Sequence, residues 1–188
     1  GGDGDDQLIG GSGTNILRGE GGNDTLTTGE NDEGAVDEVY GGSGNDTIII
    51  YENGAGVIDG GTGTDRILVT ATSDISGYSI SNVEKIELDA VAKLYLTPEQ
   101  EAAIPININE TVVSSEVWLK LSKAGSFTLT EPYYALSDKV AGSDANDNIT
   151  GSGGNDILAG AGGLDIIRAL AGDDTIVYKQ LQKFKSEH

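Results

Sequence analysis

The sequence predicts an all-β protein: a right-handed parallel β-roll or β-solenoid, with two rolls flanking a β-rich middle segment. Three observations predict this fold. A nine-residue unit recurs near both ends of the chain, 29 of 188 residues are glycine with only 3 prolines, and the segment between the repeats alternates polar and apolar residues. The predicted domains are a first roll at 1–68, a middle segment at 69–141, a second roll at 142–177 and a capping tail at 178–188.

The first roll contains seven nonapeptide units. Three of them, "GGDGDDQLI", "GGSGTNILR" and "GEGGNDTLT", fill residues 1–27 without a gap. Four extra residues precede the next units, "DEGAVDEVY", "GGSGNDTII" and "IYENGAGVI", and one extra residue, Asp59, precedes "GGTGTDRIL" at 60–68. Small residues at positions one to four, an acid or amide at six and an aliphatic residue at eight predict a six-residue turn and a three-residue strand. The middle side chain of that strand should point inward.

Two units should form one coil, so position six of one unit should lie over position six two units later. In the first roll this rule gives a column whose members are, in order, Asp6, Asp24, Asp46 and Asp65. Their separations of 18, 22 and 19 residues equal two units plus the extra residues between them. The alternate column contains Asn15, Asp37 and Ala55, so it loses its acid along the chain.

The second roll contains four units without gaps: "GSDANDNIT", "GSGGNDILA", "GAGGLDIIR" and "ALAGDDTIV". The same rule pairs Asp147 with Asp165, and Asp156 with Asp174. The first and last of these units have alanine or leucine where the pattern has glycine, which predicts strain in their turns.

These eleven units cover about 100 of the 188 residues and resemble the repeats-in-toxin (RTX) family, the hemolysin-type calcium-binding nonapeptide repeat of type I secreted bacterial proteins. The resemblance implies calcium-binding parallel β-rolls. It also implies that the earlier loop of each pair supplies the carbonyls of positions two and four with its position-six carboxylate. The later loop would supply the carbonyls of positions one and three with its own carboxylate.

The ligands implied by this resemblance form about five Ca²⁺ sites. Three lie in the first roll: Gly2, Gly4, Asp6, Gly19, Gly21 and Asp24; Glu20, Gly22, Asp24, Gly41, Ser43 and Asp46; and Gly42, Gly44, Asp46, Gly60, Thr62 and Asp65, with Gly61 and Gly63 of the last loop added to the candidates. Two lie in the second roll: Ser143, Ala145, Asp147, Gly160, Gly162 and Asp165; and Ser152, Gly154, Asp156, Ala169, Ala171 and Asp174. A partial sixth site would use Gly11, Gly13, Asn15, Asp32, Gly34 and Asp37.

The charge and composition agree with a hard cation as the ligand. The formal net charge is -20, from 31 acidic and 11 basic residues, which argues against nucleic acid and anionic membranes as partners. The chain has no cysteine, and its one histidine is the last residue, whereas zinc would require nitrogen or sulfur ligands. Calcium accepts six or more oxygens, including backbone carbonyls. A single "GNDT" would indicate only an ordinary turn, but the register across units favours calcium.

The middle segment predicts half-buried strands, because runs such as "NVEKIELD" and "EVWLKLS" have period two. It either continues the roll with longer rungs or forms an inserted β-rich element. Thr97, Pro98 and Gln100 predict one short capped helix. The aromatic residues here, Tyr95, Trp118, Phe127, Tyr133 and Tyr134, suit core packing or a platform for a polysaccharide or cell-surface protein. Leu181 and Phe184 predict a short amphipathic cap in the tail.

The sequence favours a non-catalytic module. It has no cysteine, no internal histidine, no "GxSxG" and no "HExxH". The acids of the middle segment could in principle pair as the two carboxylates of a glycosidase. A solvated strand face is the simpler interpretation of these residues. They are Asp74, Glu84, Glu87, Asp89, Glu99, Glu101 and Glu110.

The wider context is also an expectation from the sequence. No apolar run reaches the length of a membrane span. Because the chain opens in mid-pattern, we expect a piece of a larger secreted or cell-surface bacterial protein. The calcium-dependent rolls would fold after type I secretion, and the alternatives are an adhesion module or a surface-layer module.

Overall fold

A computed structural model describes residues 1–29, 35–50, 53–88, 93–104, 106–108, 116–121, 125–129 and 139–178. Twenty short strands and one helix follow one another along this part of the chain. In order they are β1 Gly2–Asp3, β2 Gln7–Ile9, β3 Ile16–Gly21, β4 Thr25–Thr27, β5 Asp37–Ser43, β6 Thr47–Ile50, β7 Ala55–Thr62, β8 Arg66–Val69, β9 Ser73–Asp74, β10 Gly77–Ser81, β11 Lys85–Leu88, β12 Lys93–Leu96, α1 Pro98–Ala103, β13 Ile106–Ile108, β14 Glu116–Lys120, β15 Ser126–Thr128, β16 Lys139–Ala141, β17 Asn148–Thr150, β18 Ile157–Ala159, β19 Ile166–Arg168 and β20 Thr175–Val177.

The chain divides into two compact units, residues 1–118 and 119–188. In the first unit, alternate strands form two parallel sheets with the orders β1-β3-β5-β7-β10 and β2-β4-β6-β8-β11-β13, and β9 pairs with β12. This alternation is the winding of a β-solenoid, so the predicted all-β parallel fold is confirmed. The middle-segment strands β10 and β11 pair in parallel with β7 and β8 and continue the sheets of the roll.

The second unit has the same winding. The end of β14 pairs in parallel with β16, which pairs with β18 and then β20, while β15, β17 and β19 form the other sheet. The coils of the nonapeptide repeats here are offset by 18 residues, as in the pairing of Leu158 with Ile176. The predicted boundaries at residues 68, 141 and 177 stay predictions, and the predicted cap at 179–188 lies outside the described residues.

In the first unit the core contains a ladder of aliphatic side chains in each of the two sheets, so one repeat coil contributes two of them, such as Val39 and Ile48. In one sheet of the first unit, Leu26, Ile48, Ile67 and Ile86 are opposite one another and have no exposed surface. Each is the middle or second residue of its strand, with half-buried neighbours on both sides. The inward aliphatic residue of the nonapeptide is therefore confirmed, and its burial is the main apolar contribution to stability.

One predicted register is wrong. The sequence placed Ala55 over Asp37 and treated Asp59 as the extra residue. The structure instead pairs Asp37 with Gly56 and Val39 with Ile58, so the extra residue lies before Gly56. The reason is the alternation of the strand: Ile58 is fully buried and Val57 only partly, and this register directs the larger side chain into the core.

The short helix α1 is capped as predicted. The Thr97 side chain accepts a hydrogen bond from the Gln100 amide at 3.2 Å, and the Gln100 side chain accepts one from the Thr97 amide at 2.7 Å. Gln100 Nε2 also donates to the carbonyls of Ile75 and Tyr78, both at 2.9 Å. These bonds attach the helix to the coil that contains β10. Among the described residues, no helix has the length and apolar character to cross a membrane.

Candidate metal centres

The acidic residues at position six form a continuous column on one side of the first unit. The amide of Asp6 donates to Oδ1 of Asp24 at 2.8 Å, the amide of Asp24 to Oδ1 of Asp46 at 2.7 Å, and the amide of Asp46 to Oδ1 of Asp65 at 2.8 Å. Each carboxylate therefore lies under the backbone of the coil before it. The column continues across both insertions, since these bonds join residues 22 and 19 apart as well as residues 18 apart.

Three of these four carboxylates have a second oxygen without a partner among the described residues. Among the described residues, Oδ2 of Asp24, Asp46 and Asp65 is buried without any hydrogen bond, and so is Oδ2 of Asp37 in the alternate column. The four residues are at most 1% exposed. A buried anionic oxygen without a partner costs several kcal/mol relative to water, on the order of the penalties for unpaired charges. Such a cost is expected where a cation binds.

Backbone carbonyls converge on the same oxygens. A Cβ built on Gly41 would collide with both Oδ2 of Asp46 and the carbonyl oxygen of Gly60. A Cβ built on Gly19 would collide in the same way with Oδ2 of Asp24 and the Gly41 carbonyl. Glycine at position one thus leaves open a space between a carboxylate of one loop and a carbonyl of the next. This space suits an oxygen-liganded cation.

The carbonyls of positions two and four line the gap between loops as well. Added Cβ atoms at Gly42 and Gly44 would collide with the carbonyls of Glu20 and Gly22, and the same holds one coil later for Gly61 and Gly63. These four glycines have φ between 104° and 138°, which an L side chain adopts only with strain. Glu20 is the exception at φ 79°. The glycine pattern therefore both permits the turn and leaves room for an ion.

The carbonyls of position three already accept hydrogen bonds. Those of Gly21, Ser43 and Thr62 accept from the position-four amides of the preceding loops, at 2.6, 2.9 and 2.9 Å. A carbonyl has two lone pairs, so each retains one for a cation. Among the described residues no three acidic or histidine side chains converge. An ion here would consequently take most of its ligands from the backbone, which suits calcium.

Burial and the repulsion between neighbouring carboxylates disfavour the ionised forms of Asp46 and Asp65. Burial raises the pKa of Asp46, and the neighbouring charges of Asp65 and Asp24 raise it further, against a smaller lowering by its hydrogen bond. Burial likewise raises the pKa of Asp65, with additional contributions from Glu84 and Asp59. A divalent cation would offset both the lost hydration and the repulsion between coils.

Asn15 occupies the equivalent place in the alternate column with its own amide group. Its backbone amide donates to Oδ1 of Asp37 at 2.9 Å. Its side-chain Nδ2 donates to the Gly13 carbonyl at 2.7 Å, to the Gly11 carbonyl at 3.4 Å and to Asp37 Oδ1 at 3.3 Å. These acceptors are ligands predicted for the sixth ion, so the amide donates where a cation would bind. Asp32 and Gly34 of that predicted site lie outside the described residues.

The second unit forms the predicted columns but satisfies its carboxylates differently. The amides of Asp147 and Asp156 donate to Oδ1 of Asp165 and Asp174, both at 3.0 Å. Here Oδ2 of Asp147 accepts from the amide of Ser143 at 2.7 Å and from its hydroxyl at 2.9 Å. The amide of Ser152 donates to Oδ2 of Asp156 at 2.7 Å, with the hydroxyl 3.1 Å from Oδ1 and 3.3 Å from Oδ2. Serine at position two thus provides partners that glycine does not.

Two of the other predicted ligands of the second unit lie beside the same carboxylates. The carbonyls of Gly160 and Ala169 approach Oδ2 of Asp147 and Asp156, because a Cβ on Gly142 or Gly151 would meet both. The Ser143 carbonyl already accepts from the Gly162 amide at 3.0 Å. In the last nonapeptide, Leu170 has φ 73°, which agrees with the strain predicted for that turn. Ala145, in the first nonapeptide of the second roll, does not have positive φ.

A second ladder, at position five, was not predicted from the sequence. Its side chains accept hydrogen bonds from amides one coil later. The backbone amide of Asn23 donates to Asp5 Oδ1 at 2.7 Å, that of Asn45 to Asn23 Oδ1 at 2.7 Å and that of Thr64 to Asn45 Oδ1 at 2.8 Å. The second unit repeats this with Asn146 and Asn155 as acceptors. The sequence pattern that could have predicted this ladder is the asparagine that recurs directly before the position-six aspartate. Its side chain joins successive turns.

Comparison with known proteins agrees with this geometry. Residues 1–32, 33–49 and 141–176 match the family model of the RTX calcium-binding nonapeptide repeat, in four copies. No curated protein and no solved structure matches the chain. The matched segments contain the loops of Asp6, Asp24 and Asp46 in the first unit and all four loops of the second.

Proposed function

We propose that this chain, which carries RTX calcium-binding nonapeptide repeats, is a non-catalytic module whose folding and stability depend on Ca²⁺. The observation that carries the proposal is the set of buried Oδ2 atoms of Asp24, Asp46 and Asp65. Each has no hydrogen-bond partner among the described residues, and each lies beside a carbonyl of the next loop. An RTX repeat is a structural calcium-binding unit, and this role requires no nucleophile or general base.

Calcium would act as a link between coils. Each ion would join two consecutive loops through their carboxylates and carbonyls, so its binding free energy would become folding free energy. Five ions of charge +2 would contribute +10 against the formal net charge of -20. The ligand sets proposed for them are those given in the sequence analysis. The loops of Asp24, Asp46 and Asp65 should require an ion more than those of Asp147 and Asp156, whose carboxylates have serine partners.

The proposed setting is outside the bacterial cell. Extracellular calcium modules typically have dissociation constants of roughly 10⁻⁴ to 10⁻³ M, so sites of that strength would be empty in a calcium-poor cytoplasm and filled after export. We place the chain in a larger secreted or surface protein of the type I secretion class. The remainder of that parent protein, toxin, adhesin or enzyme, would carry its specific activity.

Circular dichroism with and without calcium tests the proposal. We expect a β spectrum in 10 mM CaCl₂, roughly ten times the weaker dissociation constant above. In excess chelator we expect a marked reduction of the β signal, and the β structure that remains should unfold at a lower temperature. Both changes should reverse when calcium is restored. Magnesium at the same concentration is the control, because it demands a smaller octahedral shell and retains its waters. A β spectrum that is unchanged in excess chelator would contradict calcium-dependent folding.

The alternative function is an adhesion or surface-layer module in which the rolls are scaffold. One observation favours a ligand surface: the half-buried rings of Tyr95 and Trp118 stack with centroids 6.0 Å apart at 28°. Beside them, Glu116 accepts from Trp118 Nε1 at 3.0 Å and pairs with Lys93 at 3.1 Å. Aromatic rings beside charged groups suit a polysaccharide or protein partner. Binding to a glycan array that Trp118→Ala abolishes would support this function.

A further inference from the structure

The column of position-six residues does not end at Asp65. The amide of Asp65 donates to Oε2 of Glu84 at 2.6 Å, just as the amide of Asp46 donates to Oδ1 of Asp65. Glu84 lies in the turn between β10 and β11 and outside the segments that match the nonapeptide repeat. A residue from the middle segment therefore takes the position-six place in the next coil.

The turn that contains Glu84 also supplies a carbonyl at the equivalent place. A Cβ built on Gly60 would collide with the carbonyl oxygen of Asn82 and would lie 2.8 Å from Oδ2 of Asp65. One coil earlier, a Cβ on Gly41 would meet the Gly60 carbonyl and Oδ2 of Asp46. Asn82 thus replaces the position-one glycine of a repeat. Its φ is 51°, and its side chain donates to Asp59 at 2.7 Å, which fixes the turn.

Oδ2 of Asp65 points independently to a ligand. Asp65 is fully buried, with 0% exposure, and this oxygen has no hydrogen-bond partner among the described residues. Its environment matches those of Asp24 and Asp46, although the next loop is not a nonapeptide. The same physical cost of an unpartnered buried carboxylate oxygen therefore applies at the end of the column.

The identity of residue 84 follows from the length of its turn. Asp59 is opposite Ser81 and Arg66 is opposite Lys85, so six residues, 60–65, lie opposite only three, 82–84. Because this turn is three residues shorter, its backbone follows a different path from that of the glycine-rich loops. Glutamate is one methylene longer than aspartate, and its carboxylate reaches the Asp65 amide from this turn.

We propose that Asp65, Glu84 and the Asn82 carbonyl, with the carbonyls of Gly61 and Gly63, bind a further Ca²⁺ that joins the last repeat loop to the middle segment. The inference rests on the proposed calcium-binding function. It extends that function to a turn that lies beyond the matched repeats. The ion would join the coil of β10 and β11 to the roll in the way that the other ions join one repeat coil to the next.

Counting the calcium bound to the full chain by equilibrium dialysis tests the proposal. We expect Glu84→Gln to bind one ion fewer than the wild type at a calcium concentration that saturates the other sites. Glutamine retains an oxygen that accepts from the Asp65 amide, so the variant removes the charge and keeps the hydrogen bond. Glu99→Gln is the matched control, because Glu99 is an exposed glutamate in α1; it should bind as many ions as the wild type.

Each outcome has a distinct meaning. If the wild type binds no calcium, the proposed function fails and this site with it. If the wild type binds calcium and both variants bind the same number of ions, the Glu84 site alone is overturned. If Glu84→Gln does not fold in calcium, the carboxyl carbon resonance of Glu84 in the wild type decides. Its shift in the calcium titration supports the site, and its constancy while the Asp24 carboxyl carbon shifts overturns the site.

Discussion

The glycine-rich loops of the first unit and the two serine-containing loops of the second unit both have an aspartate at position six, but the carboxylate has different partners. In the first unit, Oδ2 of Asp46 is buried without a hydrogen-bond partner among the described residues, and the position-two residue of its loop, Gly42, has φ 116°. In the second unit, Oδ2 of Asp156 accepts from the amide of Ser152, which does not have positive φ. Where position two is serine, the chain itself provides partners for the carboxylate, whereas in the glycine loops of Asp46 and Asp65 one oxygen is left for an ion.

This difference separates two contributions to stability. Without calcium, the serine-containing loops retain charge-assisted hydrogen bonds, typically worth about 1.5–3 kcal/mol each, whereas the glycine-containing loops leave charged oxygens unpaired. With calcium, an ion in the second unit has to compete with the serine donors for the same oxygen. We therefore expect the first unit to bind calcium more tightly and to depend on it more.

The largest expected effect comes from filling the space between two loops of the first unit. Gly41→Ala should destabilise the calcium-loaded protein by about 1–3 kcal/mol through overpacking alone and should also remove the ion between Asp46 and Asp65, because its Cβ would collide with Asp46 Oδ2 and the Gly60 carbonyl. The midpoint of thermal unfolding in calcium and the number of bound ions measure this. Gly153→Ala is the control, since nothing lies within 4 Å of its Cβ position; equal losses in the two variants would contradict the site.

The next effect should change sign between the units. In chelator, Asp46→Asn should raise the unfolding midpoint, because it removes a buried charge between Asp24 and Asp65 and keeps the Oδ1 acceptor for the Asp24 amide. In chelator, Asp156→Asn should lower the unfolding midpoint and reduce the free energy of unfolding by about 1–3 kcal/mol. The reason is that the new side-chain NH₂ group would face the Ser152 donors. In calcium both should be destabilising. Thermal unfolding with and without chelator checks this, and equal signs in chelator would remove the distinction between the units.

A smaller effect should follow from deleting one serine hydroxyl. Ser152→Ala should destabilise the chelated protein by about 1 kcal/mol, because Asp156 keeps the backbone donor and loses the hydroxyl. Ser126→Ala, at an exposed strand position of the same unit, should change stability by less than about 0.5 kcal/mol. Urea unfolding of both variants in chelator gives the comparison. If Ser152→Ala equals its control, the serine bonds do not stabilise the loop.

The smallest expected effect is a pH dependence confined to the first unit. Because burial raises the pKa of Asp46 and Asp65 above their ordinary values, folding favours their protonated forms. Their stabilising contribution is present below the ordinary pKa and is lost as pH rises through the raised one. The chelated protein should therefore unfold at a higher temperature near pH 5 than at pH 7. The pKa of Glu87 is lowered, mainly by Lys85 and to a smaller extent by Arg66. The stability that Glu87 contributes is therefore present above its ordinary pKa and is lost as the pH falls through the lowered one.

The control for this pH dependence is Asp46→Asn, which should flatten it. In calcium the order should reverse, because protons compete with the ion for the same carboxylates. A chelated protein whose unfolding midpoint is the same at pH 5 and pH 7 would contradict the assigned pKa shifts.

Much of the fold follows from spacing alone. Residues at position eight become a buried ladder and residues at position six become a column because a repeat of fixed length returns each position to the same place in every coil. The insertion after Thr27 did not obscure this, because Asp24 and Asp46 still lie in consecutive coils although they are 22 residues apart. The register at Gly56 was predicted wrongly because the unit around it has lost its motif, and burial of Ile58 decided the alignment.

The sequence by itself determined the parallel coils, the two acid columns and the preference for an oxygen-liganded cation, because these depend on periodicity and residue chemistry. Only the tertiary structure decided which carboxylate oxygens are left without a partner. It also decided that Asn15 donates its amide where an ion would bind, and that Glu84 continues the column. The physical reason is that a side chain's hydrogen bonds depend on the backbone angles of its loop and on the residues of the next coil, which adjacent letters do not specify.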